Sequence, residues 1–157
     1  MIKRVITYLI TAMAAISFLV SCKPSEAKDA NVQAVFDKLA ATGYLATMIP
    51  VSNRDMFEIY GIETDNIKQA AFYMSENYST NADEVAIFET TNVKYAKTLE
   101  SILKARLTTK ANIAEKYSAY EYGKIKQSSV VRIGNYVYFV VCDEYNELMR
   151  IMKENIG

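Results

Sequence analysis

Cys22 is the residue whose type and surroundings point most clearly to a chemical reaction. It follows an uncharged apolar run from Val5 to Val20 that is preceded by Lys3 and Arg4. Small and aliphatic residues directly before a cysteine, here ending in Ser21, suit a peptidase that cleaves once the thiol has been joined to diacylglycerol. We therefore expect lipidation of Cys22 and cleavage between Ser21 and Cys22.

The length of this apolar run decides between cleavage and a permanent membrane span. A helix that crosses a bilayer needs about 20 apolar residues, and this run is shorter. Because Lys23 and Pro24 follow the cysteine at once, residues 1–21 are predicted to be a lipoprotein signal peptide and residues 22–30 a flexible tether. An ordinary secretory peptide with an incidental cysteine and a retained anchor are the alternatives.

Lipid attachment also predicts where the protein resides. Each buried methylene contributes about 0.8 kcal/mol, so two or three acyl chains hold a protein durably at a membrane. We expect an exported protein that is anchored through acylated Cys22 to the outer face of the cell membrane, or to the outer membrane if the source has two membranes. The lipid bilayer is then one predicted partner, and an unknown envelope protein or ligand is the other.

The residues that most enzymes use are missing or scattered. The chain has no histidine, five glycines and two cysteines, which argues against His-based catalysis, phosphate loops and zinc sites. The polar segment 77–84 lacks the spacing of a calcium loop, and Cys142 ends an apolar run, where a buried role is expected. The sequence predicts no catalytic residue, no metal and no cofactor, although a carboxylate pair that meets only in three dimensions stays open.

The charge of the chain argues against a nucleic-acid partner. It contains 18 basic and 18 acidic residues, and two of the basic ones lie in the predicted signal peptide. The mature part is therefore slightly acidic, and its lysines are dispersed among acidic neighbours, whereas phosphate binding needs a clustered basic surface. The sequence does not define an oligomeric state.

Tyrosine is the unusual component of the composition, with 12 residues and no tryptophan. Several tyrosines lie close together around the second predicted hairpin, where exposed rings could grip a sugar or an extended peptide. The alternative is that tyrosine simply suits strands and sheet borders. The candidate binding residues are Tyr117, Tyr120, Tyr122, Tyr136 and Tyr138.

The periodicity after residue 31 predicts four strands and four helices. Alternating patterns and turn residues, including Gly134-Asn135, predict strands over 67–75, 84–90, 130–133 and 136–142. Helical spacing predicts helices over 32–42, 54–60 and 93–117, the last with a break near Thr108 as an alternative, and a final helix capped by Asp143. Residues 120–126 are interpreted as a connection.

This order of elements predicts a single α+β domain over residues 31–157. Two hairpins joined by a long helix favour a four-stranded antiparallel sheet with helices packed mainly on one face. The rest of the chain after the signal peptide has the size of one ordinary domain and can build a hydrophobic core without disulfides.

Two segments of this domain resemble a known group of small bacterial lipoproteins. They are the strand start ADEVAIF from Ala82 and the hairpin IGNYVYFVVCD from Ile133, joined by a long helix that carries Leu99, Leu103 and Arg106. The chain is similar here to Gram-positive lipoproteins grouped as the domain of unknown function 4358 family. This resemblance implies an α+β domain on a lipid anchor, and it transfers no activity and no site residues.

Three classes of function are compatible with these observations. We favour a membrane-tethered, non-enzymatic binding or accessory module, because no catalytic motif accompanies the lipidation motif. The alternative is a cell-envelope enzyme of the hydrolase type, which would need a cleft with convergent carboxylates or tyrosines. A structural subunit of an envelope complex would instead need a large exposed apolar patch.

Overall fold

The computed structural model describes residues 26–157. The predicted signal peptide, the cleavage site at Ser21 and Cys22, and tether residues 22–25 lie outside this part of the chain. Within it, one antiparallel sheet of five strands is covered by five α-helices. No helix of residues 26–157 is both long enough and apolar enough to cross a membrane.

The strands follow the order β1-β2-β3-β5-β4, and every neighbouring pair is antiparallel. The helices are α1 (Val32–Ala40), α2 (Asn53–Glu58), α3 (Val93–Ala114), α4 (Ala119–Lys126) and α5 (Tyr145–Ile156). The strands are β1 (Met48–Pro50), β2 (Ile67–Ser75), β3 (Glu84–Thr90), β4 (Val131–Ile133) and β5 (Tyr136–Val141). Side chains that accept a hydrogen bond from the first helical turn begin α1 to α4, and they belong to Asn31, Ser52, Asn92 and Ser118.

Strand β3 places apolar side chains on both faces of the sheet, and this determines the layers. Val85 and Ile87 pack with residues of α1 and α5, whereas Ala86 and Phe88 pack with residues of α2, α3 and α4. Every residue of β3 and β5 is buried. The prediction of helices mainly on one face is therefore wrong, because the sheet lies between two helical layers.

Two short elements were missed by the sequence prediction. The sheet has five strands rather than four, because β1 pairs with the end of β2, with Met48 opposite Ser75. Three residues are too few to show a strand period, and β1 ends in Pro50, which lacks an N–H and suits an edge strand. Helix α4 forms where a connection was expected, and α3 continues through Thr108 without a break.

The start of α5 also differs from the expected one. Glu144 occupies the N-cap position, and its side chain makes no capping hydrogen bond. Asp143 instead accepts a hydrogen bond of 2.5 Å from the Tyr120 hydroxyl. The predicted capping role of Asp143 is therefore wrong, and its carboxylate joins α4 to the end of β5.

The segment that precedes α1 is attached to the domain. The amide of Lys28 donates to the Ile156 carbonyl at 2.8 Å, and the amide of Ala30 donates to the Tyr136 hydroxyl at 3.0 Å. Ala30 is buried, and Ala27 packs against the same hydrophobic cluster. The described part of the predicted tether is thus folded onto the domain, at the edge where β5 begins.

Removing the Tyr136 hydroxyl should destabilise the domain. The Tyr136→Phe variant leaves the buried amide of Ala30 without its acceptor, which costs about 1–3 kcal/mol of unfolding free energy. Urea denaturation measures this loss, and Tyr117→Phe is the control because the Tyr117 side chain is 84% exposed. Equal urea midpoints for the two variants would show that this contact does not hold the segment.

Candidate functional site

The structure separates the tyrosines that the sequence brought together as a binding surface. Tyr117 and Tyr120 are exposed and Tyr122 is half-buried, whereas Tyr136 and Tyr138 are buried in β5. The Tyr138 hydroxyl donates to the backbone carbonyl of the last residue, and burial raises the pKa of Tyr138 to about 12. These five side chains therefore do not form one exposed surface.

Cys142 is buried directly after β5, as the sequence predicts. Burial raises the pKa of its thiol to about 12, so the thiolate is scarce at neutral pH. Cys142 acts as a small apolar core residue. Among residues 26–157, no group of three His, Cys, Asp or Glu side chains could hold a metal ion.

A groove of about 830 Å³ lies between β1, α2 and the second half of α3. Its rim is apolar and its floor is charged. The rim is formed by Ile49, Ile59, Tyr78 and Ile113, and the floor by Tyr60, Arg106 and Lys110. The sequence prediction did not identify this groove, because its walls come from segments far apart in the chain.

The rim of the groove exposes large apolar side chains. Ile59 is 65% exposed, Tyr78 is 65% exposed and Ile113 is 56% exposed. These residues come from three separate segments of the chain, the end of α2, the turn between β2 and β3, and the end of α3. Apolar side chains that converge around one concavity are typical of a binding site rather than of ordinary surface.

The floor of the groove consists of two cations that share one carboxylate. Arg106 donates from Nε and Nη2 to Glu84, with 2.6 Å between Nη2 and Oε2. Lys110 lies one helical turn further along α3 and donates to Glu84 Oε2 at 2.6 Å and to the Ala82 carbonyl at 2.7 Å. The Arg106 guanidinium also stacks 4.2 Å from the centre of the Tyr60 ring.

Burial determines the protonation of this floor. Glu84 is fully buried, and an unpaired carboxylate there would be very costly, so two cations beside it stabilise its charge. Burial opposes the charge on Arg106, but the bonds to Glu84 outweigh it and raise the pKa of Arg106. In Lys110, burial dominates and lowers the pKa in spite of Glu84.

A second group of charges continues the network behind the groove. Lys124 on α4 donates to Asp83 at 2.8 Å and lies 3.1 Å from Glu121. Burial opposes the charge on Lys124, but the bonds to Asp83 and Glu121 outweigh it and raise its pKa. Glu121 in turn accepts from the backbone amide of Ala82 at 2.7 Å.

Three consecutive residues at the start of β3 therefore join both helices to the sheet. Ala82 contacts α3 and α4 through its backbone, Asp83 binds α4, and Glu84 binds α3. We name the six side chains the ion network, and they are Asp83, Glu84, Arg106, Lys110, Glu121 and Lys124. The network contains three cations and three carboxylates, so its formal charge is balanced.

Taken together, the fold and the groove define a small α+β domain with an antiparallel sheet between two helical layers and one charged, apolar-rimmed concavity. Residues 40–142 match the family model described as a domain of unknown function (DUF4358), and the chain belongs to this family. The matched region contains the groove and the whole ion network. No curated protein and no solved structure matches the chain.

Removing the charge of Glu84 should strongly destabilise the domain. The Glu84→Gln variant leaves Arg106 and Lys110 beside a neutral side chain in a buried site, and the expected loss is about 3–5 kcal/mol of unfolding free energy. Urea denaturation measures the loss.

The matched control is Glu58→Gln, which breaks an ion pair with Arg54 on the surface of α2. Exposed pairs of this kind contribute little to stability. Similar unfolding free energies for the two variants would contradict a structural role for the ion network.

Proposed function

We propose that this protein is an exported lipoprotein, anchored by acylation of Cys22, that acts as a non-enzymatic binding module outside the cytoplasm. The groove is its binding site. One observation carries this proposal: exposed apolar side chains surround a floor of two cations that a buried carboxylate holds in position. Such a surface offers both apolar area and directional polar contacts to a partner.

The position of the groove is compatible with a lipid anchor. The segment that leads towards Cys22 packs beside Tyr136, which pairs with Glu89 near the end of β3. The groove lies beside Met74, which pairs with Glu84 at the start of β3. At about 3.4 Å per residue, the length of the strand separates them. A partner could therefore occupy the groove while the acyl chains stay in the bilayer.

The charges around the groove favour binding over hydrolysis. Asp83, Glu84 and Glu121 are each bound by a lysine or an arginine. Asp55 is the one acidic residue among those that line the groove in the described part of the chain, and it accepts a hydrogen bond from Ser52 at the start of α2. A hydrolase of the glycosidase type would need two carboxylates facing one cleft.

Acylation of Cys22 should be visible in the mass of the intact protein. In membranes of producing cells, we expect a chain that begins at Cys22 and carries the added mass of diacylglycerol. The Cys22→Ala variant should lack this mass and keep its amino-terminal segment, since the thiol that receives the lipid is gone. An unmodified or freely secreted wild-type chain would disprove the anchor and leave the groove untouched.

The groove should bind apolar molecules through its rim. N-phenyl-1-naphthylamine is a neutral probe that fluoresces in apolar surroundings, and we expect saturable binding to the chain from residue 23 onward. The double variant Ile59→Gln and Ile113→Gln should weaken binding about tenfold, because each change removes apolar contact area of about 1 kcal/mol or more.

The control for this measurement is Val93→Gln. Val93 is 47% exposed at the start of α3 and is not part of the groove. Its replacement should leave the affinity for the probe unchanged. Absence of saturable binding, or equal losses in the rim and control variants, would contradict the groove as the binding site.

A further inference from the structure

We infer that the occupant of the groove is an apolar segment of a partner protein that carries a carboxylate, which Arg106 and Lys110 bind. This inference rests on the proposed function, since it names the partner of the same site. It depends on three properties of the groove: the sign of its floor, the openness of its rim and the closed edge of the neighbouring strand.

The floor of the groove favours an anion. Arg106 and Lys110 line it, whereas the carboxylate that balances them, Glu84, is fully buried behind them. The bonds to Glu84 use Nε and Nη2 of Arg106, so Nη1 is available to the Tyr60 hydroxyl or to a ligand. Asp55 is the one opposing charge in the lining. The surface that a ligand meets is therefore net positive, and a planar guanidinium suits a carboxylate.

The shape of the groove favours a protein segment over a small molecule. Sites for small ligands usually enclose most of the ligand surface. Here the side chains of Ile59, Tyr78 and Ile113 are more than half exposed and project around an open concavity. Side chains of that kind gain most when a partner covers them from outside, as an amphipathic segment does in a hydrophobic groove.

Strand β1 limits how such a segment can bind. Thr47 and Val51 form backbone hydrogen bonds with Glu76 and Phe72 on the β2 side. Because backbone groups alternate along a strand, Pro50 faces the open edge, where it has no N–H to donate. An added strand would find few partners on this edge. The segment is therefore held by side chains in the groove and not by extension of the sheet.

Thr109 provides a test of the anion requirement that leaves the ion network intact. It is exposed on α3, it lines the groove and it directly precedes Lys110. Thr109→Glu places a negative charge beside the proposed carboxylate, whereas Thr109→Gln has nearly the same size without the charge. Circular dichroism and urea denaturation establish that both variants keep the fold.

The experiment selects short random peptides by phage display on the chain from residue 23 onward and removes those that also bind the Ile59→Gln, Ile113→Gln variant. We expect enriched peptides to combine several large apolar residues with Asp or Glu. A synthetic consensus peptide should bind Thr109→Glu about tenfold more weakly than wild type and Thr109→Gln about as well as wild type. A peptide with its acidic residue changed to the amide should lose affinity for wild type.

Each other outcome rejects a defined part of the reasoning. Enriched peptides that lack acidic residues, or equal affinities for Thr109→Glu and Thr109→Gln, would overturn the carboxylate. Failure to enrich groove-dependent peptides, while N-phenyl-1-naphthylamine still binds at the rim, would overturn the protein partner and leave the binding site in place. Loss of both kinds of binding would overturn the proposed function itself.

Discussion

The burial of one carboxylate, that of Glu84, constrains most of this structure. A charged group without solvent must be paired, so α3 has to lie where Arg106 and Lys110 reach it. Asp83, the preceding residue, imposes the same requirement on α4 through Lys124. The start of β3 thereby positions two helices at once. The groove inherits its floor from this arrangement, so the residues that stabilise the fold also present the cations to a partner.

The regular elements could largely be predicted from the sequence, and their packing could not. The limits expected for β2 and β3 agree with the structure, since alternation and turn residues are local signals. The layer prediction failed because β3 is apolar on both faces, which a strand covered by helices on both sides requires. Elements as short as β1 carry too few residues for a period to show, and they become visible only through their pairing.

The candidate site shows a similar division. The lipidation motif at Cys22 is contiguous and could be recognised, and its acylation stays a prediction. The tyrosine surface failed because proximity in the chain does not report exposure: Tyr136 and Tyr138 belong to a strand buried on both faces. Arg106 and Lys110 resembled the solvated face of a long helix. The signal that could have identified them is a pair of cations one turn apart, matched by the two adjacent acids of a strand start.

The attachment of the segment before α1 has a mechanical meaning for an anchored protein. Any tension on the amino-terminal end reaches the domain first at Lys28 and Ala30, which hydrogen-bond to the end of α5 and to β5. Force therefore enters through the last helix and a central strand, while the groove lies at the other end of the sheet. A pull on the anchor would load the core before it disturbed the surface that holds a partner.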